Sequence, residues 1–467
     1  MPPVGLAFLA SSVRKAGFTC KIIDCALRFD TLDASTILKT MDWLHSELSL
    51  ANPRLAIGIG PCTTSSIRSI VAIADLCKEK HSSTPLIFGG PLALVPDQGW
   101  LFFRRLNAFA VVKGDGEHPL VRVLTALQQG TTISHIPGVQ AAEDQDTTPY
   151  FEKNLDECPS PAWDMLEILS YKPSIRRDLF VEPVASILGS RGCPYRCAFC
   201  LSGLVKYRKH SYQYVAEQAA ILQRQYGIRA LIFYDDCFFP DHSRANDEIS
   251  SFVELLSHWA PGLLWQIEIR PDVFCAISDE TLRQMFSGGC RQINLGIEKG
   301  NRSQLELLCK PFDIPTLIAN CQSVKRVCPG MRLTGTFILG GPGETSSTIQ
   351  ETLDLSTQLG LLFAHFYPLE LYPGTVFYDS VFHKDMRAWF DRIMNDALPW
   401  GEIVYQDTQI SSARLVDLVC SAYRNFYDRD EWRDLARKQL GANYEKVLTI
   451  TKSWQHDRFL LTRGDPR

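Results

Sequence analysis

The feature that most constrains this chain is an alternation of short, nearly unbroken apolar segments with amphipathic ones. It occurs first up to about residue 145 and again from Val184 to about Phe382. Segments apolar on both faces, bounded by helical stretches, predict parallel strands covered by helices on both sides. In the first block, strands are expected at 19–24, 54–60, 85–90 and 108–113, with a helix from Ser66 to Lys80. In the second they are expected at 184–188, 230–234, 264–269, 292–297, 333–338 and 365–371, separated by helical stretches such as 215–226 and 279–286. The expected fold is therefore α/β. A Rossmann-like, doubly wound sheet occupies 1–145, and a linker broken by prolines in Asp156-Glu-Cys-Pro-Ser-Pro161 occupies 146–183. A partial barrel of six β/α units follows over 184–382, then a mainly helical region over 383–467.

Bulk properties exclude several classes. At 467 residues the chain has room for two or three domains. A net charge of −4 gives no basic field for nucleic acid, and no apolar run is long enough to span a membrane. The N-terminus has neither the basic start nor the cleavage site of a secretory signal. Fifteen cysteines are scattered without the spacing of a small disulfide scaffold, so a reducing cytoplasm with free thiols is expected.

Three of those cysteines stand apart. Cys193, Cys197 and Cys200 lie in Ser190-Arg-Gly-Cys-Pro-Tyr-Arg-Cys-Ala-Phe-Cys-Leu-Ser202, spaced C-x3-C-x2-C, with Phe199 just before the last. A cubane 4Fe–4S cluster normally takes four thiolates. Three on one loop leave one iron open to a reactant. A structural zinc site wants four ligands in paired knuckles, and neither His210 nor Cys237 makes a second knuckle. The loop follows the first strand of the barrel, and in barrels the reactive groups sit at the carboxyl ends of strands.

The spacing and its aromatic residue resemble the cluster loop of the radical S-adenosylmethionine (radical SAM) superfamily. That resemblance implies that the open iron chelates SAM and that one electron cleaves it to a 5′-deoxyadenosyl radical. Other strand ends match the same family. Gly335-Thr-Phe-Ile-Leu-Gly-Gly-Pro-Gly-Glu-Thr345 resembles its fifth-strand segment, which sets Gly335, Gly340 and Gly341 against adenine. Pro373-Gly-Thr375 resembles the turn after the sixth strand. Asp235-Asp236 stand where relatives contact the SAM ammonium, although an aspartate at such a turn also reads as a helix cap. Glu268 and Arg270 share one face of a strand; Arg270 would hold the SAM carboxylate, or else pair with Glu268 inside the barrel. Glu298 matches the family's Gly-x-Glu, which meets the SAM sugar or amino acid; the other reading is a surface charge.

Pro2-Pro-Val-Gly-Leu-Ala-Phe-Leu-Ala10, Phe88-Gly-Gly-Pro91 and Val112-Lys-Gly-Asp-Gly-Glu117 resemble the N-terminal cobalamin-binding domain of class B radical SAM enzymes. Gly58, Gly60, Gly89, Gly90, Gly114 and Gly116 fall at strand ends, where such sheets bind ligands and where glycine also serves tight turns. No D-x-H-x-x-G motif is present, so cobalt would have no histidine ligand from it. Met1 directly precedes Pro2-Pro3, so the strand that the family places before this element is missing from the sequence.

The resemblance implies an enzyme that abstracts hydrogen from a small-molecule biosynthetic intermediate. It would be supplied with electrons by flavodoxin or ferredoxin and would carry out cobalamin-dependent radical C-methylation. The alternatives are a cobalamin-free dehydratase, deoxygenase or rearrangement enzyme, similar to the radical SAM diol dehydratases, and a non-catalytic iron–sulfur redox or partner protein. Trp389, Trp400, Trp432 and Tyr423 either line a substrate pocket or pack a helical cap. Cys237 and Cys290 near strand ends are either reactive thiols or buried packing. No second cysteine cluster appears, so no auxiliary iron–sulfur centre is expected.

Overall fold

The computed structural model describes residues 2–27, 34–63, 66–95, 99–141, 147–172, 179–383, 387 and 410–456. The N-terminal region runs α1 (Val4–Lys15), α2 (Ala34–Ala51), β1 (Ile57–Ile59), α3 (Ile67–Lys80), β2 (Leu86–Gly89), α4 (Gly99–Arg105), β3 (Ala110–Val112), α5 (Glu117–Gln129) and β4 (Val139–Ala141). The sheet order is β1-β2-β3-β4, parallel except for the antiparallel β4. Apolar clusters cover both faces. One draws on α2, α3 and α4, the other on Val13 of α1 and on α5, as a doubly wound sheet requires.

The strand expected at 19–24 does not form. Ile22 packs on the core of the second domain and Ile23 on the N-terminal cluster. The segment therefore threads a seam between two hydrophobic bodies instead of joining a sheet.

The second region begins with β5 (Val184–Ile187) and a small hairpin, β6 (Ser190–Arg191) with β7 (Arg208–Lys209). Then come α6 (Tyr212–Tyr226), β8 (Ala230–Phe233), α7 (Ala245–Trp259), β9 (Leu264–Ile269), α8 (Pro271–Cys275) and α9 (Asp279–Ser287). They are followed by β10 (Cys290–Glu298), α10 (Arg302–Leu307), α11 (Ile314–Val327), β11 (Arg332–Leu339), α12 (Ser346–Gln358), β12 (Phe363–Pro368) and α13 (Val376–Phe382). Side chains of Ser211, Ser278, Asn301, Asp313, Thr345 and Thr375 cap the following helices, which fixes where each strand-to-helix turn ends.

The six-stranded sheet is wholly parallel and ordered β12-β11-β10-β9-β8-β5, so each strand lies beside its predecessor as in an open barrel. Trp265, Ile267 and Ile269 of β9 join the helices in the main apolar cluster. Their alternates, Gln266 and Glu268, stand in register with Gln292 and Asn294, and Asn294 with Thr334. By the two-residue period of a strand, the other face of the sheet is therefore polar.

Three helices follow: α14 (Ser412–Tyr427), α15 (Asp430–Leu440) and α16 (Tyr444–His456). They cover the β12 edge. The Tyr427 hydroxyl accepts from Ala364 N and donates to Ala364 O, both at 3.0 Å, and the Tyr423 hydroxyl accepts from Phe366 N at 3.1 Å. The Trp432 indole donates to Leu362 O at 2.7 Å. Backbone groups that a seventh strand would have paired are met by side chains instead. Tyr423 and Trp432 thus pack the cap; Trp389 and Trp400 lie outside the described residues.

The two sheets share their packing. Val4, Ala7 and Phe8 of α1 belong to the core cluster of the barrel, while Val13 belongs to the N-terminal one. The segment expected to be a linker contributes Cys158, Trp163, Leu166, Ile168 and Tyr171 to the barrel cluster, and Ala162 N donates to Ala7 O at 3.0 Å. Among the described residues no helix is long and apolar enough to cross a membrane.

Candidate active site

The cysteine loop leaves β5 through β6 and returns through β7, at the carboxyl end of the six-stranded sheet. Its glycine is needed: Gly192 has φ +71°, and a Cβ there would lie 2.3 Å from Val205 O. The three thiols point to different neighbours. Cys193 shares a hydrogen bond with Cys237. Cys197 Sγ accepts from Arg270 Nη1 at 3.5 Å, and Cys200 Sγ accepts from Ser202 N at 3.4 Å. Among the described residues no three His, Cys, Asp or Glu side chains converge in an arrangement that holds a metal ion. The donor chemistry nevertheless suits a cluster, since thiolate sulfurs on iron are tuned by N–H donors of the kind that Arg270 and Ser202 supply. The Cys193 thiol is drawn below its ordinary range by the hydrogen bond from Cys237, against burial. Cys237 is thus a buried partner of the loop, and Cys290 is buried with its thiol toward Gln292 O at 3.7 Å.

Arg270 is positioned for the loop. It binds Asp272 through Nε (3.0 Å) and Nη2 (3.3 Å), and its guanidinium lies 3.5 Å from the Tyr195 ring centroid. Arg270 pairs with Asp272 because Asp272 follows the turn into α8 and folds back.

The two adjacent aspartates take different roles. Asp235 is 4% exposed, and its Oδ1 accepts from Gly189 N (2.9 Å), Ser190 N and Ser190 Oγ (2.6 Å). Burial pushes this carboxyl up to about 7 against those hydrogen bonds. It is committed to the turn that leads into the cysteine loop, which accounts for it without SAM. Asp236 is accessible and accepts from Ser202 Oγ at 2.8 Å. Its carboxyl is raised by the protein around it, with Glu268 adding repulsion. Asp236 and Glu268 therefore form an acidic pair beside the loop.

Glu298 ends β10 at φ +65°, next to a register shift between Gly296 and Glu298. A non-glycine residue in this region is strained, and such strain gathers at functional sites. It is not a surface charge: its Oε1 lies 2.7 Å from Lys310 Nζ, and both side chains are buried. Burial opposes the Lys310 charge, but Glu298 outweighs it and raises its pKa.

The glycine-rich turn after β11 splits. Gly335 lies inside the apolar core, where a Cβ would meet Leu361 Cδ1 at 2.6 Å. Gly340 and Gly341 have φ +83° and +133°, and a Cβ on Gly340 would meet Leu415 Cδ2 of α14 at 2.7 Å. The same turn supplies Glu344 to Lys299 (2.7 Å), while Gly340 O accepts from that lysine at 3.0 Å. Phe199 is half-buried against the N-terminal cluster.

In the N-terminal sheet, a Cβ on Gly90 would lie 2.4 Å from Cys62 N, and one on Gly60 would lie 2.9 Å from Gly89 O. A Cβ on Gly114 would lie 2.0 Å from Tyr150 O, and one on Gly89 at 3.4 Å from Val112 O. The chain's own backbone thus accounts for Gly60, Gly90 and Gly114, while Gly89 makes only an ordinary contact. Gly58 on β1 has nothing within 4 Å.

Lys299, Lys310, Tyr195 and the Glu370–Tyr372 pair had no signal in the sequence pattern. Glu370 accepts from the Tyr372 hydroxyl, and burial pushes its carboxyl up to about 7. Its place just beyond β12, with Tyr372 in the field of Cys200, makes it a candidate proton-transfer group.

Comparison with known proteins agrees with this fold. The radical SAM superfamily model matches residues 187–356. An uncharacterized methyltransferase from Pyrococcus horikoshii is 29% identical over 99% of this chain and 92% of its own length. Among solved structures, the radical SAM methyltransferase TsrM from Kitasatospora setae, with tryptophan substrate and a SAM analog bound, superposes with a TM-score of 0.62 at 19% identity. It covers 80% of this chain and 72% of its own. The cobalamin-dependent SAM radical enzyme OxsB, with aqua-cobalamin and SAM bound, gives a TM-score of 0.64 at 16% identity, over 98% of this chain and 69% of its own. A radical SAM domain implies a 4Fe–4S cluster and SAM. Residues 187–356 match the radical SAM domain, and the chain is an enzyme that carries a Rossmann-like domain ahead of that core.

Proposed function

We propose that this chain is a cobalamin-dependent radical SAM methyltransferase acting on carbon in a small-molecule intermediate. The observation that carries the reading is that Cys62, Phe88 and Leu92, at the strand ends of the N-terminal sheet, share one apolar cluster with Ala198 of the cysteine loop. A ligand at the strand ends of the first domain would then lie beside the cluster loop of the second, where a methyl carrier has to work. When bound, the cluster with SAM supplies a 5′-deoxyadenosyl radical and cobalamin supplies a transferable methyl group. Cys193, Cys197 and Cys200 hold the cluster, and Arg270 orients the loop through Cys197 and Tyr195. Asp236 and Glu268 face the SAM ammonium and sulfonium, where opposite charge is favoured. Glu298, fixed by Lys310, meets the amino acid or sugar of SAM. The Gly340-Gly341 turn brings backbone to adenine, with Phe199 nearby. The strand ends of the first domain receive the corrin. A flavodoxin- or ferredoxin-type donor provides the electron.

One observation favours a second reading, a cobalamin-free dehydratase or rearrangement enzyme. Gly60, Gly90 and Gly114 face the chain's own backbone, so the first domain is explained as a scaffold. Anaerobic reconstitution with iron, sulfide and hydroxocobalamin separates the two. About four irons and one cobalt per chain, with S-adenosylhomocysteine and 5′-deoxyadenosine both formed from SAM, is the expected result. Iron and 5′-deoxyadenosine without cobalt would transfer the assignment to the second reading. No SAM cleavage would overturn both.

A further inference from the structure

The cysteine loop has a neck. Residues 192–207, with all three cysteines, leave and return through the β6–β7 ladder, which pairs Ser190 with Lys209 and Arg191 with Arg208. A ladder this short is not stable alone. It also sets two guanidinium groups side by side, and like charges directly opposite destabilise a strand pair.

The groups that answer both charges come from the N-terminal domain. Asp115 stands between the arginines: its Oδ1 lies 3.0 Å from Arg191 Nη1, and its Oδ2 accepts from Arg208 Nη1. Glu117 Oε1 takes Arg191 Nη2 at 2.6 Å. Asp115 is itself held by Glu152 N at 2.8 Å. Arg191 lies 5.0 Å over the Phe8 ring and Arg208 4.9 Å over Phe151. All four ion-paired side chains are 15% exposed or less, so bulk solvent screens them weakly. Removing one partner leaves a buried charge uncompensated.

We infer that Asp115 and Glu117 are positioning residues for the iron–sulfur loop, clamping its neck from the neighbouring domain. The Gly114-Asp-Gly-Glu117 turn, which the sequence assigns to a ligand of the first domain, spends its carboxylates on the second. Arg191 is two residues before Cys193, so a shift of the clamp reaches the first cluster ligand through a short stretch of backbone.

The test uses the full chain, cluster-free and reconstituted. Asp115→Asn keeps the shape and one acceptor oxygen but removes the charge. Glu117→Gln does the same on the Arg191 side, and Arg208→Lys keeps charge while losing the guanidinium fork, giving a gentler variant should the others fold poorly. Amide exchange in the cluster-free protein is expected to quicken by about tenfold across 192–207, with exchange in β10 unchanged. After reconstitution, the reduced cluster should give a broadened electron paramagnetic resonance spectrum in each variant. Asp115→Asn with Arg208→Gln should be less than additive, because both act on one pair. Exchange at 192–207 and the spectrum both remaining as in the parent would overturn the inference, and so would a fall in melting temperature spread evenly over both domains. The exchange measurement needs no SAM or cobalamin, so it stands whichever reading of the reaction is correct.

Discussion

The two sheets of this protein finish their strands differently. The barrel strands run up to nine residues and end in side chains with chemistry: the cysteine loop after β5, Asp236 after β8, Glu298 at positive φ on β10. The N-terminal strands are three or four residues long and end in glycines closed over by Cys62 and Tyr150, with acids directed at the neighbouring domain. The difference teaches that matching topology does not give matching duty. One sheet presents reactive groups, and the other holds the presenting loop in place.

The largest effect that can break this contrast is at the loop. Replacing Cys197 with Ala should abolish both cluster absorbance and SAM cleavage, because a cluster with two remaining thiolates on the loop is not retained; surviving cleavage would remove the barrel end from the chemistry. Next is the buried Lys299–Glu344 pair beneath the β11 turn, with side chains 1% and 0% exposed. Burial lowers the pKa of this lysine despite Glu344. Lys299→Met leaves Glu344 charged and alone, and should cost about 3–5 kcal/mol in denaturant unfolding. A loss under 1 kcal/mol would show that the turn is not braced by charge.

At the seam between the sheets, His210 is 1% exposed, stacks on Tyr214 at 4.1 Å and bonds Asp156 at 2.9 Å. Burial depresses its pKa from 6.5 to about 4, against the pull of Asp156. A folded pKa below the unfolded one gives stability that is complete above pH 6.5 and is lost as pH falls toward 4. The loss should approach about 3 kcal/mol, and His210→Phe should flatten that slope in urea melts taken across this range. The smallest effect probes the first sheet: Gly90→Ala, forced against Cys62 at φ +129°, should cost about 1–3 kcal/mol while a folded sample still cleaves SAM. Lost cleavage in that folded variant would mean that the N-terminal strand ends take part in the chemistry.

Much of this was legible in the chain. The apolar runs located all six barrel strands, since strands buried on one or both faces leave a periodic trace. The C-x3-C-x2-C spacing located the loop because its information is local. What escaped was non-local or close to even. Arg191 finds Glu117 across 74 residues and Arg208 finds Asp115 across 93, and no window of sequence contains both partners. Asp235 and Asp236 look alike in sequence, and only the turn at Gly189 and Ser190 decides which is committed. The run at 19–24 has strand composition, but its alternating isoleucines face two separate cores. Arg270 pairs with Asp272 because the backbone turn into α8 returns that carboxylate to it, a local reversal that strand periodicity does not show.

The tyrosines and tryptophan that close β12 have a consequence for how the protein is made. A ribosome releases the six barrel strands well before α14 and α15, which carry those side chains. During that interval the last strand is a bare template on which another nascent chain can add. The vulnerable period of this enzyme is therefore its own synthesis, and slow translation between Pro368 and Leu440 would be seen first as aggregated protein.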